Sequence, residues 1–270
     1  MADTRYTAVI PCKDGETTIE RTLQSLYAQS IPATEIIVID DASKDRTPQI
    51  LKRHPQVRVF RLEHNLPRSW ARVPKLVNLA LDKMSRPVSY IMISGDDCLF
   101  PSTYVEALLE EFERDPRLLV CSGTHMKQKI VGKAEPHGAG RIFRYAFLSK
   151  ILPFPVTIGW ESWVLFKALE SGGETARVTT VSFDHLKPYS SGSVWTFGHS
   201  MYELGYPFWF VLGRCVKNVI FGSHKLQQLQ MFRGYVQYMI KGDPRLDVAP
   251  FVSRYERQRV RSLFARVLGA

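Results

Sequence analysis

The most demanding chemistry in the sequence is Ser94-Gly95-Asp96-Asp97-Cys98, which follows the apolar run Tyr90-Ile91-Met92-Ile93. Two adjacent carboxylates behind a buried run repel each other unless a cation or hydrogen-bond donors compensate. A divalent ion does so, because magnesium and manganese take oxygen from one or two carboxylates and fill their other positions with phosphate and water. A second pair, Asp40-Asp41, follows Ile36-Ile37-Val38-Ile39 and precedes Ala42-Ser43-Lys44-Asp45. One of these carboxylates either accepts hydrogen bonds from a nucleobase or ribose, or caps the next helix. After the first apolar run, Pro11-Cys12-Lys13-Asp14-Gly15-Glu16 leads into a helical segment whose free N–H groups suit an anionic or polar ligand, although any strand-to-helix turn offers as much.

The elements that hold these residues read as an α/β chain. Short β-branched runs over 7–10, 36–39, 57–62, 88–93 and 118–122 alternate with helical periodicity over 17–28, 47–54, 69–84 and 102–114. That alternation predicts a mainly parallel sheet covered by helices on both faces, with ligands at the carboxyl ends of its strands. Between about 125 and 147 the pattern dissolves into Gly, Lys and His, as in a mobile loop over the site or an irregular insertion. A helix over 161–171 and a strand over 177–183 close the domain, and beyond Pro188 only helical signals remain. The expected division is a catalytic domain over 1–190 and a helical extension over 191–270.

Over roughly residues 4–187 the chain resembles a family 2 glycosyltransferase of GT-A fold, Rossmann-like in its flanked sheet, of the kind that acts on lipid-linked or cell-surface glycans. The residues carrying the resemblance are Val9-Ile10-Pro11-Cys12-Lys13-Asp14-Gly15, Ile37-Val38-Ile39-Asp40-Asp41-Ala42-Ser43 and Ser94-Gly95-Asp96-Asp97. It implies that Pro11, Lys13, Asp14, Glu16 and Asp40 line the nucleotide pocket, with Arg72, Lys75 and Asn78 facing the donor base or diphosphate. Asp96 and Asp97 then take the part of the family's DXD motif, one toward the ribose and one toward Mn2+ or Mg2+, with Ser94 standing where the first Asp is usual. Gly159-Trp160-Glu161-Ser162-Trp163 resembles the acidic pair whose second member is usually the catalytic base. Ser162 occupies that position here, so the base role passes to Glu161, with Asp184 next in line. By the same resemblance His185 joins the metal ligands, and Lys187 with Ser190, Ser191 and Ser193 contacts the diphosphate.

The implied reaction is inverting transfer of a sugar from a nucleotide-diphosphate donor to an acceptor hydroxyl on a lipid-linked or membrane-proximal glycan. A sugar nucleotidyltransferase is the rival enzyme, but it wants a Gly-rich, basic turn after the first strand. A binding module without catalysis is the rival that Ser94 and Ser162 suggest.

Charge divides the chain unevenly. Residues 1–185 carry 24 basic and 22 acidic side chains, whereas 186–270 carry 12 and 4, so most of the net +10 lies in the last third. There Tyr206-Pro207-Phe208-Trp209-Phe210-Val211-Leu212 is too short to span a bilayer. It either lies in an anionic membrane interface, with Arg254, Arg257, Arg259, Arg261 and Arg266 adding attraction, or packs into the core. No nucleic-acid recognition motif accompanies the charge. Cys12, Cys98, Cys121 and Cys215 lack the spacing of a zinc site or disulfide framework and read as buried free thiols. The polar start lacks the segments of a secretory signal, which predicts a cytoplasmic protein held peripherally on the inner face of the membrane.

Overall fold

The computed structural model describes residues 3–66, 71–126, 135–187, 194–222 and 225–268, with side chains to residue 262. The chain separates into two compact units, one of Met1–Val156 with Ser171–Tyr189 and one of Thr157–Glu170 with Ser190–Ala270.

The first unit runs β1 (Tyr6–Cys12), α1 (Ile19–Tyr27), β2 (Glu35–Asp40), α2 (Thr47–Lys52), β3 (Val57–Arg61), α3 (Arg72–Asp82), β4 (Tyr90–Ile93), β5 (Cys98–Leu99), α4 (Tyr104–Arg114), β6 (Leu118–His125), β7 (Arg141–Arg144) and α5 (Tyr145–Ile151), and ends on β8 (Glu174–His185). The strands form one sheet in the order β3-β2-β1-β4-β7-β6-β8-β5. β1 pairs in parallel with β2 and β4, and β2 with β3, so the ends of β1, β2 and β4 fall on one edge. The register sets Cys12 opposite Asp40 and Val9 opposite Ile93, which brings the three chemistry-bearing turns together. Ala8–Ile10 of β1 and Ile36–Ile39 of β2 are apolar runs because no position along them faces water. Ile19, Leu23 and Leu26 of α1 and Leu108, Leu109 and Phe112 of α4 share a core with Ala8, Ile10, Val38 and Met92 of the sheet.

The stretch over 125–147 departs from the sequence reading. Residues 127–134 lie outside the described residues, but β7 is an interior strand, antiparallel to β4 on one side and β6 on the other. Two arginines disguise it. Buried Arg141 donates to the carbonyls of His137 and Pro136, and Arg144 donates to those of Leu118 and Phe112, so both charges are held by backbone. The two-residue β5 was also too short to leave a pattern, yet it pairs antiparallel with the end of β8.

The second unit is helical: α6 (Trp160–Glu170), α7 (Val194–Glu203), α8 (Phe208–Phe221), α9 (Lys225–Lys241) and α10 (Ala249–Leu268). Its core includes Met201, Tyr202, Val211, Met231 and Tyr235. α6 is tied to the residues before α10, with Trp163 Nε1 donating to Asp247 at 2.7 Å and Lys167 3.0 Å from the same carboxylate. α7 and α9 cross through two glycines: a Cβ on Gly198 would meet the backbone of Met231, and one on Gly234 the backbone of Trp195. All four cysteines are buried and free.

Candidate functional site

The turns after β1 and β2 are bound to each other before any ligand is considered. The Asp14 N–H donates to Ser43 Oγ, the Gly15 N–H to Thr47 Oγ1 and the Glu16 N–H to Asp45 Oδ2, at 2.8–2.9 Å. In return the Lys44 N–H donates to Asp14 and the Arg46 N–H to Glu16. Lys13 Nζ donates to the carbonyls of Asp41 and Ala42 at 3.0 Å and also to Asn65 Oδ1. Asp14 and Ala42 both adopt left-handed backbone, φ 48° and 49°, a conformation costing an L residue about 1–2 kcal/mol that this lattice of bonds offsets. Lys13, Asp14 and Glu16, expected to face the nucleotide, therefore also build the frame of the pocket.

Asp40 and Asp41 are buried. Asp40 Oδ1 accepts the Ser43 N–H within the turn after β2, whereas the next helix begins only at Thr47 with Arg46 at its N-cap, so Asp40 does not cap that helix. Its other oxygen lies 3.6 Å from Arg61, whose Nη2 also donates to the Ser43 carbonyl. Asp41 Oδ1 accepts the Leu66 N–H, and its Oδ2 lies 3.3 Å from Arg72. Oδ2 of each carboxylate has no hydrogen-bond partner among the described residues, which leaves buried acceptors in the wall where a nucleoside is expected. A cleft of about 530 Å³, lined by Ser43, Asp45, Gln49, Arg61 and Asn65 among others, opens beside them.

At the end of β4, Asp96 and Asp97 take different partners. Asp96 Oδ2 lies 3.5 Å from both Lys187 Nζ and Cys12 Sγ, and the Asp96 carbonyl accepts from Thr22 of α1. Gly15 presses on the same carboxylate, where a Cβ would come within 2.7 Å of Oδ2. Burial pushes the Asp96 carboxyl above its usual value, opposed by Lys187 and reinforced by the charge of Asp97. Burial acts the same way on Asp97, but the hydrogen bond and charge of His185, with Lys187, outweigh it and hold that carboxyl low. His185 Nδ1 stands 3.2 Å from Asp97 Oδ1 and 3.7 Å from Cys98 Sγ. Asp97, Cys98 and His185 form the one cluster of metal-capable side chains among the described residues.

Of the expected metal ligands, Asp97 and His185 thus come together, and Asp96 stands outside their cluster against Lys187. An oxygen and an imidazole nitrogen at this spacing, Asp97 Oδ1 and His185 Nδ1, fit manganese, while the other ring nitrogen, Nε2, is buried with no hydrogen-bond partner among the described residues. His125 and His137 pack around the His185 ring at 5.2 and 5.9 Å, and burial, with neighbouring charges, lowers His137 to about 4.

The remaining expected residues divide. Lys75 is exposed on α3. Asn78 instead holds the backbone of Phe154 through both ends of its amide. Glu161 is exposed in the first turn of α6, in the second unit. Ser190, Ser191 and Ser193 lie outside the described residues. Sequence reasoning gave no site role to Cys98 or Arg61; Gly15 was among the residues carrying the family resemblance, and the structure adds its close approach to the Asp96 carboxylate.

Residues 7–173 match the family described as Glycosyl transferase family 2, from β1 through α6. The chain belongs to glycosyl transferase family 2. A poly-beta-1,6-N-acetyl-D-glucosamine synthase of Staphylococcus epidermidis is 26% identical over 133 residues, 47% of this chain and 31% of the synthase. The chain thus spans about a third of the length of the curated relatives it matches. Among solved structures, mannosyltransferase PcManGT from Pyrobaculum calidifontis, in complex with GDP-Man and Mn2+, superposes with a TM-score of 0.58 at 17% identity over 98% of this chain and 82% of that one. S. aureus TarS 1-349 in complex with UDP-GlcNAc gives 0.57 at 16%, over 88% and 73%. Glucosyl-3-phosphoglycerate synthase from Mycobacterium tuberculosis, with Mn2+, UDP and phosphoglyceric acid, gives 0.54 at 16%, over 68% and 71%. At these identities the likeness establishes the fold, a GT-A α/β sheet followed by C-terminal helices. No helix among the described residues is long and apolar enough to cross a membrane.

Proposed function

We propose that this family 2 chain is an inverting, divalent-cation-dependent glycosyltransferase that moves a sugar from a nucleoside diphosphate to an acceptor hydroxyl. The observation that carries the reading is the convergence, on the carboxyl edge of one sheet, of two buried carboxylate oxygens at Asp40 and Asp41, which face Arg61 and Arg72 but accept no hydrogen bond among the described residues, with the Asp96, Asp97, His185 and Lys187 group. The first pair suits a base or ribose and the second a metal-bound diphosphate. Asp97 and His185 would hold the ion, which supplies positive charge against the departing diphosphate. Lys187 adds a second positive charge, and Glu161 accepts the proton of the attacking hydroxyl. The acceptor oxygen bonds to the anomeric carbon as the bond to the diphosphate oxygen breaks, and that single displacement inverts the centre. UDP-GlcNAc and GDP-Man, the donors bound by two structural neighbours, head the screen. The test is turnover of a panel of nucleotide sugars with manganese present. Donor binding without turnover on any glycan acceptor would favour the binding module suggested by Ser94 and Ser162.

The acceptor side of the reading is an anionic membrane carrying a lipid-linked glycan. Its support is in the helical unit, where Leu212, Val216 and Ile220 repeat at i, i+4 and i+8 on the exposed face of α8 and lead to Phe221, 83% exposed. Leu226, 76% exposed, and Leu229 continue the apolar surface onto α9. From 204 to 242 there is no acidic residue, while Arg214, Lys217, Lys225, Arg233 and Lys241 are all exposed. Apolar side chains ringed by cations alone are what an interfacial helix presents to anionic lipid. The aromatic run singled out in the sequence is only partly in this face: Phe210 and Val211 pack into the core, whereas Phe208 and Trp209 are exposed.

A further inference from the structure

Resting on the metal-site reading above, we infer that Cys98 is a third protein ligand, and that its thiolate makes the centre select a thiophilic divalent cation, zinc or cobalt, over magnesium. Two observations converge on it. Cys98 and His185 are direct partners in the β5–β8 ladder, so the pairing that ends the sheet puts sulfur and imidazole side by side. The three separations are 3.2 Å from Asp97 Oδ1 to His185 Nδ1, 3.7 Å from Cys98 Sγ to that nitrogen and 3.9 Å from Cys98 Sγ to that oxygen. Bonds of about 2.0 Å to oxygen and nitrogen and about 2.3 Å to sulfur, at tetrahedral angles, place ligand atoms roughly 3.3–3.6 Å apart. The observed triangle is within a few tenths of an ångström of that, before any ion draws it in.

The chemistry of the set decides the ion. Carboxylate oxygen alone suits magnesium, whereas a thiolate beside an imidazole suits zinc and cobalt, and manganese sits between them. Three protein ligands leave an open position, as in sites where a metal meets a substrate oxygen. Binding replaces the Cys98 S–H bond by an S–metal bond and releases one proton to solvent. The site is wetted through Asp97 and His185, whose side chains are 17% and 15% exposed, while Cys98 forms its floor.

The probe is Co2+ added to the metal-free full chain, followed by absorption. The expected spectrum has visible ligand-field bands together with a near-ultraviolet sulfur-to-cobalt charge-transfer band, both erased by stoichiometric Zn2+ and unaffected by excess Mg2+. Cys98→Ser should lose the charge-transfer band, keep weaker visible bands and bind Co2+ at least about tenfold less tightly, the loss typical even of an outer-shell partner. Cys215→Ser, in the other unit, should leave both bands intact. Visible bands without a sulfur band in the unaltered protein overturn the Cys98 assignment and leave the Asp97–His185 site standing. No cobalt bands at all overturn both. Because the unaltered protein's spectrum decides, a Cys98 variant that fails to fold does not rescue the idea.

Discussion

The sheet's carboxyl edge and the α8–α9 surface are built on opposite rules. At the edge, charge is taken out of water and then held: Asp40 and Asp41 are buried beside Arg61 and Arg72, and Asp96 is matched by Lys187. On α8 and α9, apolar side chains are left in water and exposed cations surround them. Buried charge is costly to keep and is tolerated where a ligand completes it, while exposed apolar surface is costly to keep and is tolerated where a partner covers it. Each region is therefore incomplete in a different sense, one awaiting cations and donors and the other awaiting an apolar phase. The difference predicts that changes at the edge alter ligand binding and rate, and that changes on the helices alter location.

The largest effect should come from Asp97→Asn, which keeps the shape but removes the charge from the metal cluster. Calorimetry should show the manganese-dependent part of nucleoside diphosphate binding lost, with the metal-free part retained; undiminished binding with manganese would take the site away from Asp97. Next, Glu161→Gln should leave donor affinity in place and cut turnover by roughly 10². Retained turnover would move the base role away from Glu161, with Asp184 the next candidate. On the helical side, changing Val216, Ile220 and Phe221 together to Ser should reduce salt-resistant co-sedimentation with anionic liposomes while the melting temperature stays put. A fall in melting temperature of several degrees would mean that these side chains belong to a packed surface.

Smaller effects sharpen the contrast. Gly198→Ala should cost the helical unit about 1–3 kcal/mol by forcing α7 off α9, read as a shifted denaturation midpoint without change in donor binding. The least should be seen at Asp247. Burial acts to raise its carboxyl, but the Trp163 and Lys167 contacts prevail and hold it below the ordinary value. Its contribution is therefore complete above about pH 4 and lost as pH falls through the depressed value. Trp163 fluorescence in an acid titration should show that step, and Asp247→Asn should abolish it.

How legible all this was in the sequence depended on which force set each element. β1, β2 and β4 are read from their apolar runs because full burial leaves no other composition, and the turns after them are read because chemistry needs carboxylates there. β7 was not legible because Arg141 and Arg144 bracket its two apolar residues, charges that backbone carbonyls and, for Arg144, the Tyr90 and Phe112 rings accommodate inside the sheet. The pairing of Cys98 with His185 was beyond reach for a different reason: 87 residues separate them, and only strand register brings them together. The distinction between Asp96 and Asp97 likewise lay in Lys187 and His185, distant in sequence and adjacent in space.

The path of the chain through α6 bears on synthesis. Residues 157–170 leave the sheet unit before β8 has been made, and they compact with helices that come later still. As the polypeptide emerges from its N-terminus, β1 to β7 wait for β8 to finish the sheet, while Trp163 and Phe166 wait for Asp247, Tyr206 and Tyr255. Neither unit can be completed in isolation by cutting the chain once. A protein ended at residue 190 would keep α6 without those later partners, and it would present Trp163 and Phe166 to whatever apolar surface it met first. Each unit is compact by itself, and the two are interleaved along the chain.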